Sequence, residues 1–355
     1  MKAALWYGRK DIRVEEVAAP KAEKGEVIIE VKRCGICGTD LHEYTDGPQV
    51  TWNKPHPITG DTVPIIMGHE FAGVISEIGE GVSGWNIGDR VAIMPLLHCG
   101  KCVYCLRGLQ HLCVDFGCTG LQWYWGGFAE YCKALPYQLN KIPDNVTFEQ
   151  AACIEPMALA MYGIHRSGLK AGDTVFISGG GPTAVLTLMA ARAAGATKIF
   201  MSEVSPKRLA RLLAFGADEA YNPMEVDVVA EVLKKTNGLG TDVVIECAGI
   251  EEAINDCFEI VKKRGMYVQS GLSVKPISIK NHFDWAFKDI NMCGLWCYNI
   301  TDFQNILELM GTGQLPSIER IVTKTIKVED IVKEGFDVLT VDSDGAEVKI
   351  QVSFE

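Results

Sequence analysis

The chain has 355 residues, 48% of them hydrophobic and 22% charged, with a formal net charge of -11. That length exceeds one ordinary core and sets an expectation of about two domains. The acidic balance argues against nucleic acid or an anionic membrane face as partner, because both select basic surfaces, and no uncharged apolar run is long enough to span a bilayer.

Between residues 2 and 135 short β-type runs are broken by glycine and proline. In 26–32 Val27, Ile29 and Val31 fall on one face, as a half-buried strand requires. Segments 71–79 and 89–94 repeat the pattern. Several short strands with glycine turns predict a small barrel or sandwich. After residue 150 the period changes. A buried strand over 174–178 is followed by a glycine turn and a helix over 182–194, and a strand over 198–202 by a helix over 206–215 that Gly216 closes. Strands over 242–247 and 266–270 flank a helix over 251–262. Such alternation predicts a parallel doubly wound sheet, an α/β fold. The tail carries a helix over 302–310 and ends strand-like over 347–354, a segment able to return to the first domain.

The start of the chain has no signal-peptide core, so the expected compartment is the cytoplasm. Thirteen cysteines are many for that compartment, where disulfides are rarely kept, and metal binding is the leading explanation for any that cluster. Cys132, Cys153, Cys247, Cys257, Cys293 and Cys297 are scattered and read as small buried hydrophobes. Cys99, Cys102, Cys105 and Cys113 are different. Four thiolates at such short spacings close a tetrahedron round zinc with no open position, which makes a structural site. The usual iron–sulfur spacings are not matched. Only Lys101 and Arg107 bring positive charge to this stretch, which argues against a nucleic-acid zinc ribbon.

A second constellation lies in 34–42 together with His69 and Glu70. A thiolate, an imidazole and a carboxylate hold zinc while leaving a position for water or substrate. Cys37 and His69 lead as ligands, with Glu70 and the distant Glu155 competing for the third place. Glu155 stands just before Pro156 at the expected domain junction, where a buried carboxylate needs a partner. Asp40 can orient a metal-bound imidazole from behind. Thr39 sits two residues past Cys37; its hydroxyl can serve a proton relay or simply cap its own backbone.

The nucleotide site is expected at Gly179-Gly180-Gly181-Pro182-Thr183-Ala184, after a strand and opening a helix. Gly179 makes the tight turn, Gly181 admits the pyrophosphate, and the helix from Pro182 offers free amides and a positive dipole end. Thr183 and Ala184 extend the turn into the helix. Glu203, ending the second strand, can accept hydrogen bonds from the adenosine ribose and repel a 2′-phosphate, which favours NAD over NADP. Arg208 can stack on the adenine or stay a solvated helix charge.

These residues together resemble the zinc-dependent medium-chain alcohol dehydrogenase family over essentially the whole chain. The likeness rests on Cys37 with Gly38-Thr39-Asp40 and His42, Gly68-His69-Glu70, the four-cysteine stretch, Gly88-Asp89-Arg90-Val91, Ile154-Glu155-Pro156 and the turn from Gly179 to Pro182. The resemblance implies a GroES-like β-barrel catalytic domain over 1–156, to which 298–355 returns, and a Rossmann NAD-binding domain over 157–297. It also implies a catalytic and a structural zinc, NAD(H), and hydride transfer to or from a secondary alcohol or vicinal diol, with Thr39 and His42 passing the proton to solvent. A homodimer or homotetramer is a further family expectation. Glu155, where classical members carry cysteine, and the long 43–67 segment look like the polyol and butanediol branch, with 2,3-butanediol and acetoin as first expectation. In that branch Cys37, His69 and a glutamate hold the zinc. Another polyol, such as sorbitol, is the alternative substrate, and a non-catalytic NAD-binding redox sensor is the alternative of another class. Thr183-Ala184 and Gln122-Trp123-Tyr124-Trp125 depart from the family pattern.

Overall fold

The structure is a computed structural model, and it describes residues 1–51, 53–273, 275–315, 317–341 and 345–355. The chain forms two compact units. One comprises Met1–Glu155, Tyr298–Asp342 and Lys349–Glu355; the other comprises Pro156–Cys297 and Ser343–Val348.

The first unit is built on largely antiparallel sheet, with Val322–Ile326 and Lys349–Ser353 pairing in parallel. Its main sheet runs in the order Leu139–Lys141, Arg90–Ile93, Glu70–Ile78, Val27–Gly35, Lys349–Ser353, Val322–Ile326, and Tyr131–Ala134 also pairs with Val27–Gly35. The strand Val27–Gly35 is the hub. Glu70–Ile78 lines one edge, while the other is shared, Tyr131–Ala134 taking residues 27–30 and the C-terminal strand taking 33–35. Alternation explains its inner face through Val27, Ile29 and Val31, and a register shift between Val31 and Arg33 brings Cys34 into the same core, with Trp6, Phe71, Phe128, Phe336, Ile350 and Val352. The register pairs Gly35 with Glu70 and with Gln351. Cys37 lies two residues beyond Gly35 and His69 one before Glu70, so antiparallel pairing at that point brings thiol and imidazole to the same end of the sheet.

The second unit carries a six-stranded, wholly parallel sheet in the order Glu219–Tyr221, Lys198–Ser202, Thr174–Ser178, Thr241–Glu246, Val261–Gln269, Asn291–Gly294. Numbered along the chain this is 3-2-1-4-5-6, the doubly wound dinucleotide-binding topology, with its switch point between Thr174–Ser178 and Thr241–Glu246. Local chemistry sets the helices. Pro206–Phe215 starts where Ser205 Oγ accepts from Arg208 N, has proline at its first position, and stops at Gly216 with φ 112°. The helix expected over 251–262 ends at Ile260, because Val261 turns extended and starts the next strand by pairing with Thr241. A helix that the sequence pattern did not flag, Ile154–Ser167, follows Cys153 and carries Glu155 in its first turn. Among the described residues no helix is long and apolar enough to cross a membrane.

Phe200 is fully buried in the second unit, packed in a cluster with Phe176, Val244 and Phe258. Phe200→Ala should lower the stability of this unit by about 3–5 kcal/mol, read as a drop in its denaturation midpoint, while the metal content of the first unit stays unchanged.

Candidate active site and metal centres

Cys37 is the N-cap of the helix Gly38–Asp46, and Asp40, three residues on, accepts a hydrogen bond from Cys37 N at 2.9 Å through Oδ2. The other carboxylate oxygen, Oδ1, lies 3.4 Å from His69 Nδ1. Asp40 is completely buried, so this one carboxylate fixes both the thiol-bearing backbone and the imidazole. Nδ1 facing Asp40 leaves Nε2 as the imidazole nitrogen open to a metal. Neither Asp40 Oδ1 nor His69 Nδ1 has a hydrogen-bond partner meeting strict geometry among the described residues.

Glu70 occupies space that only a glycine at position 35 leaves open, since a β-carbon there would strike its Oε2. The donor atoms of Cys37, His69 and Glu70 all lie within 4.8 Å of one another. Burial pushes the Cys37 thiol above its ordinary range. Burial alone would lower His69, but Asp40 and Cys37 carry its imidazole well above the usual value. Neighbours that so strongly favour an added positive charge suit a dication, and thiolate, imidazole and carboxylate are a donor set zinc accepts.

Of the two glutamates that competed for the third ligand place, the structure brings Glu70 into this cluster and leaves Glu155 outside it. Glu155 Oε1 instead accepts a hydrogen bond from Tyr298 Oη at 3.0 Å. Burial raises its carboxyl to about 7, with Glu70 adding to the rise and His69, Tyr298 and Lys349 opposing it. Thr39 Oγ1 lies 3.8 Å from Cys37 Sγ, half-buried, and His42 is exposed one helical turn further on. Cys34 is fully buried and lines the site as a packed thiol, its side chain against Gly68 and Gly127.

Sequence reasoning missed Lys349. Its ammonium lies 2.7 Å from both Glu70 carboxylate oxygens and donates to Ile36 O at 3.0 Å. A strand alternating Val348, Ile350 and Val352 with Lys349 and Gln351 reads as one apolar and one solvated face. Both faces are buried here, Gln351 donating to Glu149 O at 2.9 Å. The overlooked clue was a lone lysine amid strand residues, which is costly to bury unless paired.

The four-cysteine stretch closes on itself. Cys99, Cys102, Cys105 and Cys113 offer sulfurs within 4.8 Å of one another, with Cys102 and Cys105 Sγ 3.5 Å apart. Backbone amides of Cys99 and Cys105 donate to Cys113 and Cys102 sulfur at 3.3 and 3.5 Å. Amide donation, led by that of Cys105, lowers the Cys102 thiol to about 6, whereas burial raises Cys113 to about 12. A cation bound by all four would equalise them as thiolates, and this is a donor set suited to zinc. The scattered cysteines divide: Cys132, Cys153 and Cys257 are buried as expected, but Cys247, Cys293 and Cys297 are partly exposed.

In the second unit Gly179 takes φ 91° and donates to Ser202 O at 2.8 Å, turning the chain from strand to helix. Gly181 is the N-cap of Pro182–Ala193 and gives no side-chain cap, so the first-turn amides of Pro182–Ala193, Thr183 and Ala184 among them, face no capping group. Glu203 is buried against Gly180, with Oε1 accepting from Ser205 N at 2.8 Å. Gly179, Gly181, Pro182, Thr183 and Glu203 thus gather at the carboxyl ends of adjacent strands. Arg208 is partly buried, with its side chain beside Gly345 and its Nε enclosed.

A parallel 3-2-1-4-5-6 sheet with a glycine turn under an uncapped helix defines a dinucleotide-binding protein, and the two donor clusters of the other unit make it a zinc-dependent oxidoreductase. Family models agree on both halves, the alcohol dehydrogenase GroES-like domain matching residues 23–144 and the zinc-binding dehydrogenase model residues 182–312. The (R,R)-butanediol dehydrogenase of Bacillus subtilis (strain 168) is 39% identical over 353 residues, 99% of each chain. That of Neisseria gonorrhoeae (strain ATCC 700825 / FA 1090) is 35% identical over 356 residues, again 99% of each. The crystal structure of 2R,3R-butanediol dehydrogenase from Bacillus subtilis superposes with a TM-score of 0.92 at 38% identity, covering 100% of this chain and 99% of that one. The chain belongs to the zinc-dependent alcohol dehydrogenase family.

Cys102→Ser should cost about one zinc per chain, measured by elemental analysis of the purified protein, and should lower the melting temperature of the first unit.

Proposed function

We propose that this enzyme interconverts a vicinal diol and its hydroxyketone, 2,3-butanediol and acetoin first among them, with NAD(H) as cofactor. The observation that carries this reading is the donor set of partly buried Cys37 with buried His69 and Glu70 in a chain that matches butanediol dehydrogenases end to end. Zinc held by those three residues supplies Lewis acidity toward the substrate oxygen, and NAD supplies the hydride acceptor.

The chain's own residues divide the remaining work. Thr39 stands beside Cys37 and takes the substrate hydroxyl proton, and His42, exposed on the same helix, is the outlet to solvent. Asp40 holds His69 and the backbone of Cys37 in place. Glu155, kept largely protonated below pH 7 by burial, offers with Tyr298 a polar pair that suits the second oxygen of a diol. Gly179, Gly181 and the amides that start Pro182–Ala193 hold the pyrophosphate. Glu203 meets the ribose hydroxyls, and its charge disfavours a 2′-phosphate. Cys99, Cys102, Cys105 and Cys113 hold the structural zinc. The same reading makes the protein a cytoplasmic homodimer or homotetramer.

Purified enzyme with NAD and a panel of 2,3-butanediol stereoisomers, sorbitol and ethanol, followed by absorbance of reduced cofactor, should give the highest kcat/KM with a butanediol. Preference for sorbitol would move the assignment to the polyol dehydrogenases, and no turnover of any alcohol would overturn it. Thr39→Val should lower kcat by about 10²–10⁴-fold while zinc content and NAD affinity stay within error; near-normal turnover would remove Thr39 from the proton path.

A further inference from the structure

The strand that closes the first unit brings to the metal cluster a charge that the proposed reaction leaves unused. Lys349 Nζ sits 2.7 Å from both oxygens of Glu70, and the two side chains are 2% and 0% exposed. The same carboxylate is one of three donors within 4.8 Å of one another at Cys37, His69 and Glu70. Glu70 therefore faces two competing claims. An ammonium on both oxygens occupies lone pairs that a dication would use, and its charge repels the dication across a short, poorly screened distance. Without either partner the carboxylate would stand buried and uncompensated.

We propose that Lys349 is a positioning residue that shares Glu70 with the metal and thereby weakens metal binding at the Cys37–His69–Glu70 cluster. Backbone geometry holds the lysine in that role. Ile36 N donates to Ile350 O at 2.9 Å, and Lys349 Nζ returns a bond to Ile36 O, so the ammonium is tethered to the residue that precedes Cys37. Metal entering the cluster takes Glu70 from a partner that cannot follow it into the ligand set, because ammonium is a donor only. When the metal leaves, Lys349 restores the neutral pair and the site survives empty. The inference rests on the reading of Cys37, His69 and Glu70 as zinc donors.

The test uses the full-length protein and reads metal binding rather than turnover. Metal-depleted wild type, K349M, K349R and the double variant E70Q/K349M are titrated with cobalt(II), whose absorption separates the one-thiolate site from the four-thiolate site, and with zinc against a chromophoric chelator. K349M should bind metal at the one-thiolate site at least about tenfold more tightly than wild type, with a lower melting temperature when metal-free and a larger rise on adding zinc. K349R should stay near wild type, and E70Q/K349M should lose the gain. Unchanged or weaker binding in K349M, or a gain that persists in the double variant, would overturn the proposal. Should K349M fail to fold when metal-free, refolding with and without zinc decides between the two accounts: recovery with zinc supports the shared carboxylate, and failure in both overturns it. A merely structural lysine predicts looser metal binding, the opposite sign. Because no arm measures diol turnover, the substrate assignment can fail while this test stands.

Discussion

A carboxylate with no exposed surface must have its charge met from within the protein, and Glu70 imposes that requirement on the first unit. The requirement reaches far along the chain. Position 35 must be glycine to leave room for the carboxylate, the register must set Gly35 opposite Glu70, and the last strand must return to bring Lys349. That strand meets two demands at once. Ile350 and Val352 enter the hydrophobic core on one face, while Lys349 and Gln351 hold Glu70 and the backbone around Cys153 on the other. Its length and placement follow from charge compensation as much as from apolar burial.

The second unit meets a similar demand with different chemistry. Glu246 is also completely buried, at the end of a strand flanking the switch point. It accepts from Ser178 Oγ at 2.9 Å, Ala248 N at 2.7 Å, Gly249 N at 2.9 Å and Gln269 Nε2 at 2.7 Å, all neutral donors. Those bonds join the ends of three neighbouring strands beside the glycine turn. A carboxylate satisfied by fixed backbone amides is a structural rivet. One satisfied by a single lysine beside a metal-donor pair keeps its oxygens available for exchange. Burial alone does not separate the two cases; the partners do.

Much of this was legible in the sequence. The strands over 174–178 and 198–202 and the helix over 206–215 match to the residue because buried β-branched runs, Ser205-Pro206 and Gly216 are strong local punctuation. The four-cysteine stretch was equally plain, since ligand type and short spacing are local facts, whereas Cys37 and His69 stand in separate segments and were grouped by ligand type and by the family resemblance. What stayed hidden was pairing across long separations. Lys349 and Glu70 are 279 residues apart, Tyr298 and Glu155 are 143 apart, and no periodicity in either segment encodes the partner. The approach of Gly345 to Arg208 was hidden for the same reason, since a helical wheel shows only a cation on the helix surface. The helix Ile154–Ser167 was obscured by Pro156, which breaks a helix in mid-run but is tolerated in the first turn, where its missing amide would have no partner.

The competition between Glu70 and Glu155 has a physical origin. Asp40, Glu70, the partly buried Glu155 and the Cys37 thiol lie around His69, and Lys349 pairs with Glu70. That set has more capacity for negative charge than its own cations can balance. Asp40 and Cys37 raise the proton affinity of His69, while burial, with Glu70 adding to it, raises that of Glu155 to about 7. A dication held at Cys37, His69 and Glu70 would offset the charge part of both shifts. Glu70 is the carboxylate whose oxygens reach Cys37 and His69, while Glu155 lies outside that donor set with its bond to Tyr298. The two carboxyls thus have different partners, Glu70 the Cys37–His69 donor pair and Lys349, Glu155 the hydroxyl of Tyr298, and a diol, with two oxygens to place, is a substrate shape that two such groups fit.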